Sequence, residues 1–199
     1  FQDFGKLTVE AIDEIDRRAS ITHDVTGVAT GYADLDEWTG GLQKSDLIIL
    51  AARPSVGKTA FALNMAANIG AGLRNRQIHP EFQRGVGIFS LEMSCSQICM
   101  RLLSTITEVP MHVMRTGKMG ARDKQRIHSM ARLAHSAPIF VDDTPGITIL
   151  ELRAKARRLQ ALRPDLSLLM IDYLQLMRGG GRVENRQQEI SEISRSLKA

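Results

Sequence analysis

Apolar positions along this chain follow two rhythms, and their alternation is the first structural signal. From Thr8, "TVEAIDEIDRRAS" sets Val9, Ile12, Ile15 and Ala19 on one face with acids and arginines elsewhere, the spacing of a short amphipathic helix. "ITHDVTGVATG" follows as a polar connector, leaving that helix either packed on its own domain or able to reach another subunit. "GYADLDEWTGG" reads as a helical turn closed by Gly40 and Gly41. The second rhythm is the unbroken apolar run, found at Leu47 to Ala51, at Val86 to Leu91, in "PIFVDD" and in "LSLLMID". Such runs are strands, and the last has the continuous hydrophobicity of a parallel strand buried on both faces.

Helical patterns fill the intervals. One runs from about Lys58 to Ile69, and a second opens at the capping box S-C-S-Q of Ser94 and carries Ile98, Leu102, Leu103 and Ile106. Ala121 to His135 is a basic helix, and the capping box from Thr148 to Glu151 opens the Arg/Lys-rich "LELRAKARRLQALR". "AGLRNRQIHPEFQRG" and "RGGGRVENR" read as polar, basic loops, and a last helix begins near Arg186 with Ile190, Ile193 and Leu197 along one face. Strands alternating with helices predict a three-layer α/β domain with a largely parallel sheet. The last helix runs to Ala199 without a stop signal, so the expectation is a chain that ends inside its domain.

Composition narrows the class without naming it. The 199 residues make about one domain, and 43% hydrophobic with 24% charged content suffices for an ordinary core. No apolar run approaches the ~20 residues of a membrane span. The N-terminus, with Asp3, Glu10, Asp13 and Glu14, lacks the basic-then-apolar layout of a signal peptide, so a cytoplasmic protein is expected. Cys95 and Cys99 share one predicted helix and fit neither a disulfide framework nor a four-ligand zinc site. His23, His79, His112, His128 and His135 show no ligand spacing. The net charge of +4 permits a polyanionic partner without demanding one.

The chemistry concentrates in "LIILAARPSVGKTAFALN", a strand, a loop and a helix start. In the phosphate-loop pattern G-x-x-x-x-G-K-[ST], backbone N–H groups converge on phosphates, the lysine reaches the terminal phosphates and the hydroxyl ligates magnesium. Gly57, Lys58 and Thr59 supply the last three elements, and Arg53, Pro54, Ser55, Val56 and Ala60 complete the candidate ATP-binding run. Ala52 stands where the first glycine belongs, a tolerable exchange at a turn of negative φ, with Pro54 restricting Arg53 to an extended shape.

Phosphoryl transfer to water also needs a magnesium-associated acid and a base, and in a parallel sheet both belong at the C-terminal ends of strands. Asp172 is the leading metal acid, with the pair Asp142/Asp143 as runner-up because "DDTPG" is also ordinary turn chemistry. Glu92 reads as a general base or else as a surface acid, since Ser94 already does the capping. Gln175 in "DYLQL" is a γ-phosphate or DNA sensor or a structural residue. Arg178, Arg182, Asn185 and Arg186 frame three glycines in a loop suited to a phosphate backbone or to solvent, with no aromatic for base stacking. The basic helix from Arg153 to Arg163 reads as a solvated face.

With these residues in hand, the chain resembles the C-terminal RecA-like motor domain of DnaB-type replicative DNA helicases. The matching runs are "TGVATGYADLDEWTGGLQKSDLIILAARPSVGKTAFALN", "GIFSLEMS", "LLMIDYLQLM" and "NRQQEISEISRSLKA", within which Ala52 is a usual family feature. The resemblance implies ATP and Mg2+ as cofactors, Lys58 and Thr59 on the phosphates and metal, Glu92 as catalytic base and Asp172 as the second acid. It implies that the loop from Arg178 to Arg186 faces single-stranded DNA in a ring-shaped homo-hexamer. Residues 1–25 become a linker helix and connector, with the helix docked on the neighbouring subunit, and 26–199 an incomplete RecA-like ATPase domain. Primase and a helicase loader follow as partners. The connection "RNRQIHPEFQRG" is longer than the family's usual one, and the glutamine sensor, second DNA loop and trans-acting basic residues are expected beyond Ala199. A chain so placed is expected to bind nucleotide better than it hydrolyses it. The rival reading is a recombinase-like or loader-like RecA relative that assembles on DNA without unwinding it.

Overall fold

The computed structural model describes residues 1, 3–19, 25–74, 77–177, 195 and 197. Helix α1 (Phe4–Ala19) starts where the Asp3 carboxylate accepts the Lys6 N–H at 3.1 Å, and it leaves Phe4, Leu7, Val9, Ile12 and Ile15 exposed. Helix α2 (Ala33–Thr39) is the turn expected from "GYADLDEWTGG", stopped by left-handed Gly40. Helix α3 (Lys58–Ala71) leads into a two-stranded antiparallel hairpin, β1 (Leu73–Arg74) and β2 (Gln77–Ile78), and then into β3 (Gly85–Ser90). Helices α4 (Cys95–Thr107), α5 (Met111–Thr116) and α6 (Ala121–Ser136) precede β4 (Ile139–Asp142). Helix α7 (Ile149–Leu162) and β5 (Leu166–Asp172) complete the described elements, followed by a 3-10 turn at Leu174–Leu176.

Strands β4, β3 and β5 form a parallel sheet in that order, with Val86 beside Ile139 on one side and Ser90 beside Asp172 on the other. Alternation along β3 divides its side chains between two cores. Val86 and Ile88 meet Leu63, Ala66 and Ala67 of α3 and Ile98, Leu102 and Ile106 of α4, with α6 behind them. Phe89 turns the other way, onto Ile147, Leu152 of α7 and Met177. Helices therefore cover both faces, the expected three layers. Gly70 lets α3 lie close on β4, because a Cβ there would come within 2.3 Å of the Ile139 side chain.

Packing outweighs capping in holding α4. Each buried aliphatic side chain contributes about 1.5–3 kcal/mol and a helix cap about 1 kcal/mol, and Ile98, Leu102 and Ile106 are all buried on this one helix. What the Ser94 and Thr148 boxes decide is where α4 and α7 begin. Both form as expected, each hydroxyl accepting the N–H three residues on while the Gln97 or Glu151 side chain reaches back.

One expected strand is not found. Leu47–Ala51 joins no ladder among the described residues, and Ile48 and Ile49 are 57% and 74% exposed. An apolar run gives a strand only where its N–H and C=O groups find a neighbouring backbone, and among the described residues the sheet ends at β5. The long polar connection holds more order than its composition implies, namely the hairpin and a 3-10 turn at Pro80–Phe82. Helix α5 has weak periodicity but clear punctuation, Pro110 at its start and left-handed Gly117 at its end. The loop from Arg178 to Arg186 lies outside the described residues, as does the last helix except for Arg195 and Leu197.

Candidate nucleotide site

The loop from Arg53 to Gly57 is exposed and reverses onto the start of α3, with the Val56 N–H donating to the Arg53 carbonyl at 3.4 Å. Ser55 has φ 64° and Gly57, the N-cap, φ 104°. A Cβ on Gly57 would meet nothing within 4 Å, so glycine is required there by backbone conformation and not by a neighbour in the protein itself. The Phe61 N–H donates to the Gly57 carbonyl at 2.9 Å and begins the helix. Before that bond, the first turn carries the N–H groups that every helix start leaves without an intrahelical acceptor, together with its partial positive charge. Arg53, Pro54, Ser55, Val56 and Ala60 are exposed, while Lys58 and Thr59 are half-buried.

A buried carboxylate far from the loop in sequence braces this helix. Asp36 accepts the Thr30 N–H and hydroxyl, each at 2.8 Å, and the Gly31 N–H at 3.1 Å. That knot is tied to α3 where the Asn68 amide donates to the Thr30 carbonyl at 3.1 Å. Nearer the loop, Tyr32 stacks on Phe61 with ring centroids 4.8 Å apart. Helix α3 is thus held along one side, at Phe61 and Asn68, by the segment "TGYADLD".

The sheet delivers the acids. Asp172 ends β5, is buried, and places Oδ1 3.5 Å from Lys58 Nζ. Asp142 and Asp143 are occupied elsewhere. Asp142 accepts Lys155 Nζ at 2.5 Å and the Thr144 N–H at 3.0 Å, and Lys155 also donates to the Thr144 hydroxyl at 2.7 Å. Desolvation works to raise the Asp142 pKa, but the bonds from Lys155 and Thr144 and the Lys155 charge carry it below the ordinary carboxylate value. Asp143 accepts the Cys95 N–H at 2.7 Å at the start of α4, and that bond, with a further one from the Cys95 thiol, lowers its pKa. Burial, followed by Asp143, pushes the Cys95 thiol up, away from the thiolate that redox or metal chemistry needs. Of the three strand-end aspartates, Asp172 alone lies beside Lys58, while Asp142 and Asp143 are bonded to Lys155, Thr144 and Cys95.

Glu92 sits exposed on the turn between β3 and α4, two residues past Ser90, which pairs with Asp172. The turn is held at both ends. The Leu91 N–H donates to the Asp172 carbonyl at 2.7 Å, while buried Ser90 donates to the Met93 carbonyl at 2.7 Å and accepts the Met93 N–H at 3.2 Å. Asp143 and the Ser94 box then anchor α4. Gln175 lies exposed in the 3-10 turn after Asp172. Arg178, Arg182, Asn185 and Arg186 lie outside the described residues.

Two contributors escaped the sequence reading. Ser90 was visible as a hydroxyl ending an apolar strand, and Tyr173 as the aromatic directly after the acid, its ring centroid 4.7 Å from Lys58 Nζ. Neither signal is specific without the fold.

Among the described residues no group of three or more His, Cys, Asp or Glu gathers to cage a metal. Thr59 and Asp172 instead offer one hydroxyl and one carboxylate beside a phosphate loop. Such a donor set fits Mg2+, which binds through one or two protein oxygens and completes its shell with substrate phosphates and water.

A parallel three-layer α/β domain, with Gly-Lys-Thr at a helix start and a buried acid at a strand end, defines a RecA-like P-loop nucleotide-binding domain. The chain belongs to the DnaB-like helicase C terminal domain family, whose model matches residues 27–199. Across its whole length it is 44% identical to the replicative DNA helicase DnaB of Geobacillus stearothermophilus, covering 42% of that protein. It is also 44% identical over 201 residues to the replicative DNA helicase DnaC of Bacillus subtilis strain 168, again covering 42%. Among solved structures it matches the ATPase domain of G40P at TM-score 0.85 and 28% identity, covering all of this chain and 66% of that one. A DnaB-like replicative helicase, described with its interactions with primase, matches at TM-score 0.83 and 28% identity over 45% of its length. The chain therefore spans about two-fifths of the length of these two curated relatives. Among the described residues no helix is long and apolar enough to cross a membrane.

Proposed function

We propose that this chain is the ATP-hydrolysing motor portion of a replicative DNA helicase. The observation that carries the reading is the approach of Lys58 Nζ to Asp172 Oδ1, which brings the phosphate-loop lysine and the strand-end acid into one site. The run Arg53 to Ala60 cradles the triphosphate with backbone N–H groups, and Lys58 contacts its terminal phosphates. Thr59 and Asp172 hold the magnesium ion, which when bound neutralises charge on the phosphates. Glu92 accepts the proton of the attacking water, and the Ser90 bracket holds it at the sheet edge where Asp172 lies.

Replicative helicases among the relatives support the larger assembly. Residues 1–25 act as linker and connector and 26–199 as the motor domain of a homo-hexamer. The exposed stripe of Phe4, Leu7, Val9, Ile12 and Ile15 on α1 supports docking on a neighbouring subunit, because apolar side chains at helical spacing need a partner surface. Arg178, Arg182, Asn185 and Arg186 contact the backbone of single-stranded DNA, and Gln175 senses nucleotide or DNA beside them. Primase and a loader are the protein partners, and the cytoplasm is the compartment. A titration of Lys58→Ala with a fluorescent ATP analogue and Mg2+ tests the site. Loss of binding is expected, and wild-type affinity would remove the loop from nucleotide recognition.

A further inference from the structure

We infer that Tyr173 is a positioning residue for the phosphate-loop lysine, its ring face holding the Lys58 ammonium where the terminal phosphates arrive. The inference rests on Lys58 being the nucleotide-binding lysine and goes beyond that assignment. Lys58 Nζ lies 4.7 Å from the Tyr173 ring centroid and 3.5 Å from Asp172 Oδ1, so consecutive residues at the end of β5 share one ammonium.

The two contacts differ in what nucleotide does to them. A lysine ammonium is a point charge on a flexible four-carbon stem, and its side chain here keeps 31% exposure, so without restraint it samples many directions. The Asp172 carboxylate restrains it in the nucleotide-free protein, but it competes with incoming phosphate for the same ammonium and is itself required as a magnesium ligand. The ring competes with neither. Its attraction is that of a quadrupole for a cation, directed from one side of the stem, and it leaves the ammonium's other donors free for phosphate oxygens. With Asp172 drawn away from the lysine toward a bound metal ion, Tyr173 would still keep the ammonium in place. The half-buried position of the ring, immediately after a buried acid in the sheet, makes it a fixed support.

The test is a titration of a fluorescent ATP analogue with Mg2+ against wild type, Tyr173→Leu and Tyr173→Phe, each repeated in a Lys58→Met background. Tyr173→Leu is expected to weaken binding about two- to six-fold, the range for a partly exposed cation–π contact, while Tyr173→Phe keeps the ring and the affinity. With Lys58→Met, the change to Leu should have no further effect, because Tyr173 acts through the lysine. Wild-type affinity in Tyr173→Leu, equal loss in Tyr173→Phe, or full additivity with Lys58→Met would each overturn the inference. Undiminished binding in Lys58→Met alone would instead refute the reading of the loop. Equal melting temperatures of the nucleotide-free variants separate these outcomes from damage to the fold.

Discussion

The Ser90 hydroxyl closes the backbone of Met93 on both sides, donating to its carbonyl at 2.7 Å and accepting its N–H at 3.2 Å. The bracketed turn carries Glu92, and Ser90 is itself buried beside Asp172 in the sheet. Ser90→Ala leaves two part-buried backbone groups of Met93 without that partner, a cost of about 1–3 kcal/mol. At about 2–4 °C per kcal/mol for a chain of this size, the melting temperature should fall by roughly 2–12 °C. ATP turnover should fall more than the KM for ATP rises, since the change loosens the turn that carries Glu92, the proposed base, and not the loop from Arg53 to Gly57. A thermal melt with steady-state kinetics checks both, and a variant as stable and active as wild type would deny the turn its role.

Asp172→Asn retains the shape of the side chain but removes the charge that faces Lys58 and that is proposed to hold the metal. Metal-centred charge stabilisation supplies several kcal/mol, so hydrolysis should drop by about 10²-fold or more, and chelation of Mg2+ in wild type should have a comparable effect. Kinetics across a Mg2+ titration measure this. Full activity of the variant at low Mg2+ would reassign the metal acid.

The Asp142–Lys155 pair predicts a pH dependence of stability. The folded Asp142 pKa lies below its unfolded value of about 3.9, so its contribution is fully present above that value and is lost as pH falls through the lower folded one. Both side chains are partly exposed, which limits the contribution to about 1 kcal/mol or less. Lys155→Met should therefore be slightly less stable than wild type at pH 7, with the gap closing below about pH 4. Denaturant melts at both pH values decide, and a gap that widens in acid contradicts the assignment.

Replacing both Arg182 and Arg186 by Ala should weaken binding to single-stranded DNA about uniformly across sequences. If each contacts a phosphate, the slope of log K against log salt should flatten by up to ~2 units. Binding isotherms at several salt concentrations give the slope, and an unchanged value returns the loop to solvent.

What could be read from the sequence was what local chemistry determines. The Ser94 and Thr148 caps and the Gly57-Lys58-Thr59 helix start depend on neighbours within a few residues, and all take the expected form. The strand ending at Asp172 pairs in parallel as expected but is not buried on both faces, because among the described residues it is the edge of the sheet and Leu169 is 42% exposed. The runner-up acids could be separated only in three dimensions, because Lys155 lies a helix away from Asp142 and the Cys95 N–H belongs to another layer from Asp143. The strand expected at Leu47–Ala51 shows the converse limit. Its apolar run describes a capacity for pairing, and no neighbour among the described residues fulfils it. Tyr173 and Ser90 remained hidden because ring-over-ammonium and hydroxyl-to-backbone contacts have no spacing rule in sequence.

Hydrolysis at this site is proposed to drive strand separation, and a forked duplex given to the full-length assembly, wild type and Glu92→Gln side by side, decides it. Wild type should separate the strands only with ATP. Glu92→Gln should retain nucleotide binding while separation slows by about 10²- to 10⁴-fold, the usual contribution of a general base. A wild-type assembly that hydrolyses ATP on single-stranded DNA yet never opens the fork would overturn the proposed motor and favour a RecA-like loader or binding module, and unwinding undiminished in Glu92→Gln would remove that residue from the mechanism.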